Sequence, residues 1–441
     1  MLPPGPKGRP VVGSLREFRR DVLGFFTDCA RTYGDVVPIR LPRRRLVLLS
    51  HPDLIEEVLT ARARQSTKTL LLQALRPVLG NGLLLSEGDT WLRQRRLIQP
   101  AFHRKRIAAY GDVMAGYAER GMAEWRDGQT RDVHADMMTI TQAIVAKTLF
   151  DADVSDASWD VGHALHVLMD DFSQRRTRLF ELPKFVPTAG RRRARLAVER
   201  LDRVVYGIIA DRRASGEDHG DLLSLLLDAQ DADDGSRMTN QQVRDEIMTL
   251  FLAGHETTAV SLSWTWYLLA QHPDVEARLA AELRNVLGGR LPTVADLPRL
   301  RYAEMVVTES MRLYPPVYSL TRRVTEPCEV GGHRIEPETT LVMSQWVVHR
   351  DARWFDEPAA FQPDRWENDL VKRLPRYAYF PFGGGPRLCI GNTFALMEAT
   401  LLLATIGQRF RFRLAPGAAV KPMLSVTLRP AAGIPMTLSA R

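Results

Sequence analysis

The chain reads as mainly α with a small β-rich part, an α+β arrangement, and three observations carry that reading. From residue 52 to about 285, apolar residues recur mostly at helical spacing. Strand signals are confined to residues 1–50 and to parts of 315–345 and 420–441. No internal repeat or long low-complexity tract interrupts the 441 residues. Strands so far apart in sequence must meet through long-range contacts, so one integrated domain over 1–441 is expected.

The elements follow in order. A proline-rich entry leads to a helix near Phe18–Tyr33, then to strands at Val36–Arg40 and Leu46–Ser50. Charged residues and a turn between those strands suit a hairpin. Pro187 and Gly190 mark a break between two helices. Acidic, glycine-containing stretches at Ser215–Asp221 and Asp231–Gly235 flank a short apolar helix at Leu222–Leu227. A capping signal at Thr239 or Asn240 opens a long helix over Gln241–Gln271, and His272-Pro273-Asp274 starts another that runs to Leu287. The helix Ala303–Leu313 ends before Pro315-Pro316. Strands return at Leu320–Val324, Thr340–Ser344, Val426–Leu428 and Met436–Leu438.

Composition narrows the function classes. At 45% hydrophobic, the chain supports a large core. Cys29, Cys328 and Cys389 are too few and too scattered for a disulfide framework or a zinc site, which makes a reducing, cytosolic setting the default. The net charge of +8 is almost all arginine, with no nucleic-acid module to use it. Runs such as Arg191-Arg192-Arg193 read as solvated helix faces. No apolar run approaches the roughly twenty residues of a membrane span, and the opening residues lack a signal-peptide pattern.

Four constellations carry chemistry. Cys389 lies in Phe-Pro-Phe-Gly-Gly-Gly-Pro-Arg-Leu-Cys-Ile-Gly-Asn, residues 380–392, just before an apolar stretch, Thr393–Ile406, that reads as a helix. Amides at a helix start and nearby Arg387 favour an ionised sulfur, fit to be a nucleophile or the axial ligand of a haem iron. In the long helix, Ala253-Gly254-His255-Glu256-Thr257-Thr258 combines a costly mid-helix glycine with an acid and an alcohol. Close approach of a flat ligand would justify Gly254; so would tight packing on a neighbouring helix. Threonines that bond back to carbonyls one turn earlier would open the helix locally and leave Glu256 and Thr257 placed to hand protons to a ligand. Glu309 and Arg312 share one helix face, and Arg365, in a turn-rich context, would complete a buried network with them. Trp91 and Arg95 present an indole donor and a guanidinium on one face, suited to carboxylates.

In this order the four constellations resemble the cytochrome P-450 family of haem-thiolate monooxygenases. Phe382, Gly385, Arg387, Cys389 and Gly391 match every defined position of the haem-loop pattern Phe-x-x-Gly-x-Arg-x-Cys-x-Gly. The resemblance spans nearly the whole chain and implies the family's fold, with haem between the long central helix and the cysteine-loop helix. It implies Cys389 as proximal iron ligand, Phe382 packed near its sulfur, and Trp91, Arg95, Arg322 and Arg387 as haem-binding residues. It implies Glu256 and Thr257 as the pair that guides protons to bound dioxygen, and Glu309, Arg312 and Arg365 as a structural triad. Asp364 and Trp366 stand where glutamate and phenylalanine are commoner.

The implied cofactor is haem b, with O2 as co-substrate and NAD(P)H-derived electrons arriving through a separate ferredoxin or flavodoxin with its reductase. The implied reaction inserts one oxygen atom into a C–H bond of a lipophilic substrate such as a fatty acid, terpenoid, steroid or macrolide. Substrate-facing segments map onto Leu70–Leu85, Leu179–Pro187, Phe251–Thr258, Val317–Leu320 and Ser425–Leu428, and the expected pocket residues are Phe251, Ala253, Thr258, Val317, Tyr318, Leu320 and Thr427. Arg93, Arg96, Arg104, Lys105, Arg106, Arg373 and Arg376 are expected to form a basic docking face. A soluble, monomeric, cytoplasmic, bacterial-type member without a transmembrane anchor fits best. The rivals are a peroxide-using haem-thiolate enzyme and a non-catalytic haem-binding sensor.

Overall fold

The computed structural model describes residues 2–151, 188–231 and 235–441. Its contacts gather into two units, one of residues 1–73 and 308–389, the other of residues 74–307 and 390–441.

In the first unit, Val36–Leu41 and Arg44–Leu49 pair antiparallel, with Val36 opposite Leu49 and Leu41 opposite Arg44. Thr340–Met343 joins Arg44–Leu49 in parallel, Leu320–Val324 pairs antiparallel with Thr340–Met343, and Ser66–Thr67 closes the five-stranded sheet. Because strand side chains alternate between faces, Val47, Leu49, Leu341 and Met343 meet Ile55 and Val58 on one side. Leu46, Leu48 and Val342 meet Phe26 and Cys29 on the other. Asp21 divides the expected entry helix into Leu15–Arg20 and Val22–Tyr33, because its backbone is extended and its side chain accepts from Gly24 N–H as an N-cap. A small hairpin, Cys328–Val330 with His333–Ile335, was not foreseen from sequence.

In the second unit, the long helix runs from Asn240 to Gln271. Thr239 caps it: its hydroxyl accepts from Gln242 N–H at 3.2 Å, and the Gln242 side chain accepts from Thr239 N–H at 2.9 Å. The helix Val133–Phe150 packs along it, where the Thr141 hydroxyl donates to His255 O at 3.0 Å. The cysteine-loop helix, Asn392–Gly407, is buried from Met397 onward. Pro435–Ala440 pairs antiparallel with both Phe410–Leu414 and Thr130–Asp132. Near the C-terminus the paired strand is Leu428–Pro430, against Pro422–Leu424, rather than Val426–Leu428. Ser425 N–H bonds to Thr427 O at 2.9 Å and turns the chain there. The Trp264 indole donates to Leu428 O at 2.7 Å and fixes this hairpin on the long helix. Gly190 lies in the first turn of the helix Ala189–Ser215, while Pro187 and the segment Leu179–Pro187 fall outside the described residues.

Candidate active site

The cysteine loop is built by backbone hydrogen bonds and two indispensable glycines. Cys389 N–H donates to Phe382 O at 3.0 Å, and Gly383 N–H to Phe380 O at 3.0 Å. A Cβ on Gly384 would lie 2.2 Å from the Tyr377 ring, and one on Gly385 only 1.9 Å from Leu59 O. Gly385 also has φ +62°, which side chains disfavour, and its N–H donates to the Tyr377 hydroxyl at 3.1 Å. The thiol that this loop presents is exposed, with Phe382 and Arg387 half-buried nearby in sequence. The helix begins at Asn392 with Gly391 as its cap, one residue earlier than expected, and Cys389 lies just before its first turn.

Glu309, Arg312 and Arg365 are brought together. The fully buried Glu309 carboxylate takes a bidentate pair from Arg312 at 2.8 and 2.9 Å, and Arg365 Nε at 2.9 Å. Trp366 Nε1 at 2.8 Å and Gln362 N–H at 3.0 Å complete its shell. The tryptophan that departs from the common pattern therefore supplies an indole donor that phenylalanine lacks. Arg312 also donates to the carbonyls of His349, Pro358 and Ala360 at 2.7–2.9 Å. His349 Nε2 accepts Phe380 N–H at 2.9 Å, two residues before Phe382, which links this network to the cysteine loop. Burial and the charges of Arg312 and Arg350 push the His349 imidazole well below its usual range, so it stays neutral and able to accept. Nothing in the sequence marked His349 for this part.

On the long helix, both threonines bond back one turn: Thr257 Oγ1 to Ala253 O at 2.7 Å and Thr258 Oγ1 to Gly254 O at 3.2 Å. The helix nevertheless runs unbroken through them. Gly254 answers the neighbouring helix, because a Cβ there would stand 3.1 Å from Val145 Cγ2. The open side belongs to Ala253, which is exposed within a mostly buried helix, and to half-buried Thr257. The buried Glu256 accepts from Arg429 Nε and Nη2, each at 2.8 Å, and from the Thr427 hydroxyl at 2.5 Å, all at Oε1. Burial alone would raise its carboxyl, but the Arg429 charge and these hydrogen bonds hold it below the ordinary range. His255 turns inward and bonds Phe251 O at 2.9 Å.

Glu398 was missed. It is fully buried in the cysteine-loop helix, and neither carboxyl oxygen has a hydrogen-bond partner among the described residues. Burial pushes it up to about 8, so it is a protonated acid at neutral pH. A lone carboxyl in an otherwise apolar helical run was the available signal.

The remaining candidates divide. Trp91 and Arg95 are half-buried, one turn apart on the helix Gly88–Ile98. Arg322, on the sheet strand Leu320–Val324, donates to Thr321 O at 3.0 Å. Val317 and Leu320 are half-buried and Tyr318 is buried. Phe251, Thr258 and Thr427 are closed against protein, with the Thr427 hydroxyl spent on Glu256. The expected basic face is partly neutralised: Arg93 and Arg96 both reach Asp231, at 2.9 and 3.4 Å, and Arg376 reaches Glu56 at 3.0 Å.

The sequence model of the cytochrome P-450 family matches residues 3–435. The chain is 40% identical to a cyclooctatin synthase of Streptomyces melanosporofaciens, over 98% of this chain and 94% of that one. It is 38% identical to that organism's cyclooctat-9-en-7-ol 5-monooxygenase, over 93% and 90%. It is 33% identical to a pentalenene oxygenase of Streptomyces avermitilis, over 99% and 97%. Among solved structures, the heme domain of cytochrome P-450DA is similar at a TM-score of 0.90 and 27% identity, covering 100% of this chain and 98% of that one. Among the described residues, no helix is long and apolar enough to cross a membrane.

Proposed function

The chain belongs to the cytochrome P-450 family and is a haem-thiolate monooxygenase, and we propose that it hydroxylates a terpenoid, with Cys389 as the iron ligand and Glu256 with Thr257 handling protons. The relatives named for pentalenene and for cyclooctat-9-en-7-ol support the substrate class over a fatty acid, steroid or macrolide. We place it in the cytoplasm as a monomer, drawing NAD(P)H-derived electrons through a ferredoxin or flavodoxin.

The side chains suit haem. In the first unit Cys389 offers an accessible soft sulfur, and Arg322 and Arg387 offer guanidinium groups suited to a propionate; in the second, Trp91 and Arg95 offer an indole and a further guanidinium. Ala253 leaves one helix face open where a larger side chain would fill the space. The observation that carries the reading is the exposed Cys389 thiol on a loop fixed by its own backbone bonds and by Tyr377. When bound, haem supplies the chemistry of dioxygen activation.

The protein's part is to hold, orient and move protons. Glu256 is kept ionised by Arg429, so it takes a proton when it leaves that pair and gives it up on return. Thr257, with its hydroxyl on Ala253 O, has the half-open position from which a rotated hydroxyl delivers a proton to a ligand. Glu398 holds a proton at neutral pH behind Thr258 and is a second store. The acid–alcohol pair disfavours the peroxide-using alternative, which has no need of it.

The deciding experiment is to reduce the protein under carbon monoxide and look for the red-shifted Soret band of thiolate-ligated haem. Its absence, with haem incorporated, ends the assignment of Cys389. Thr257→Ala is expected to lower product formed per O2 consumed severalfold while leaving that band intact, and equal coupling in mutant and parent overturns the proton role.

A further inference from the structure

Residues 80–86 cross the N-terminal half of the long helix as an irregular turn, and their backbone is tied to two adjacent carboxyl groups. Asn81 N–H donates to Asp245 Oδ2 at 2.8 Å, and Leu83 N–H donates to Glu246 Oε2 at 2.9 Å. The approach is close enough to exclude side chains. A Cβ on Gly80 would lie 2.0 Å from the Asp245 carboxyl, and one on Gly82 would lie 2.3 Å from Thr249 Oγ1. Gly80 also has φ +57°, so glycine is needed there on two counts.

The carboxyl groups are braced in turn. Asp245 Oδ1 accepts from Gln241 at 2.8 Å and from Arg244 at 3.0 Å, and Arg244 is anchored by Asp202 at 2.6 Å. Gln94 closes the turn from the other side by donating to Asn81 O at 2.8 Å. Glu246 is fully buried and holds Leu83 through one oxygen alone. Burial pushes its carboxyl up to about 8, so a neutral acid makes that contact at pH 7. A neutral carboxyl and a carboxamide offer the same carbonyl oxygen to Leu83 N–H, whereas alanine offers none.

We propose that Asp245 and Glu246 are positioning residues of the substrate site: they clamp residues 80–85 onto the long helix and so set how tightly bulky lipophilic ligands bind. The proposal rests on the monooxygenase reading, through which residues 70–85 face substrate. Leu83 and Leu85 are buried and Leu84 is half-buried between them, so a loosened clamp frees an apolar segment.

The test uses the haem-loaded protein with two azole probes of different size, imidazole and clotrimazole, titrated by their haem spectral shift. Hydrogen exchange of residues 80–86 is read in parallel. In Glu246→Ala and Asp245→Ala, exchange at Leu83 and Asn81 respectively is expected to quicken about tenfold, the loss of ~1.4 kcal/mol of protection. Clotrimazole affinity should fall severalfold while imidazole affinity holds. Glu246→Gln should restore both exchange and clotrimazole binding, which rescue of fold alone does not explain. Unchanged exchange in both alanine variants overturns the clamp. Faster exchange with unchanged clotrimazole affinity, or Glu246→Gln as impaired as Glu246→Ala, overturns its role at the site. A parent protein that shifts with neither azole and gives no thiolate band refutes the underlying haem reading instead, while the exchange data still report on the clamp.

Discussion

Glu309 and Glu398 are equally buried carboxyl groups, with no solvent exposure at either, yet their surroundings are opposite. Glu309 accepts five hydrogen bonds, three of them from two guanidinium groups. Glu398 accepts none among the described residues. A buried charge survives when donors replace its lost water, and a buried acid without donors keeps its proton instead. The first arrangement fixes a shape, and the second stores a proton. Glu256 lies between them, charged but held at one oxygen by a partner on a distant hairpin. The difference separates framework from chemistry without any appeal to distance from the haem.

The largest expected effect comes from breaking the framework side. Arg312→Ala removes two of Glu309's five donors and empties the site of a fully buried side chain. Leaving one partner of a buried ion pair costs about 3–5 kcal/mol. Chemical denaturation followed by circular dichroism should show a loss of that order, with little haem retained by the isolated protein. A stability within about 0.5 kcal/mol of the parent, the usual range for surface substitutions, would mean that the Glu309 network is decoration.

Glu398→Gln probes the other side through pH. In the folded protein the carboxyl titrates at about 8, against 4.5 in an ordinary setting. Between those values the native state holds a proton that the unfolded chain has released. Stability therefore falls as pH rises through this window, by up to ~1.4 kcal/mol per pH unit for each such group. Glu246, raised to about 8, adds the same trend. Glutamine at 398 removes that residue's contribution, so the variant should gain on the parent steadily from pH 5 to pH 8. Parallel stability curves across that range would show that Glu398 is not carrying a buried proton.

What the sequence made legible follows the range of the interaction. Glu309 and Arg312 are three apart on one helix, so their pairing was readable from spacing. Arg365 needed the motif around it, and the indole bond from Trp366 to Glu309, 57 residues away, left no periodic trace. The Arg429 bond to Glu256 spans 173 residues and the Leu83 bond to Glu246 spans 163, beyond any local pattern. The strands show the same limit in another form. Phe410–Leu414 alternates Phe-Arg-Phe-Arg-Leu and was overlooked beside a strong helix, whereas Leu428–Pro430 was displaced by two residues. Its pairing depends on a turn at Ser425–Thr427 whose hydrogen bond no side chain announces. The entry helix divides at Asp21, where a capping side chain interrupts a helical periodicity that continues on both sides of it.

The finest test replaces the residue that departs from the family pattern. Trp366→Phe keeps an aromatic ring against Phe355 and Tyr379, whose centroids lie 6.2 and 4.6 Å away. It deletes only the indole hydrogen bond to Glu309 Oε2, which still accepts from Arg312 Nε. A hydrogen bond to a charged group contributes about 1.5 kcal/mol, and the loss here should sit at or below that because one donor remains. Equilibrium denaturation resolves such a change, and Arg312→Ala in the same background measures the coupling. If Glu309 is held as one saturated unit, the double variant should lose less than the sum of the singles, since the second donor removed finds a network already open. Strict additivity would instead make the indole a separate contact, and the saturation of Glu309 would then be a list of neighbours without mutual dependence.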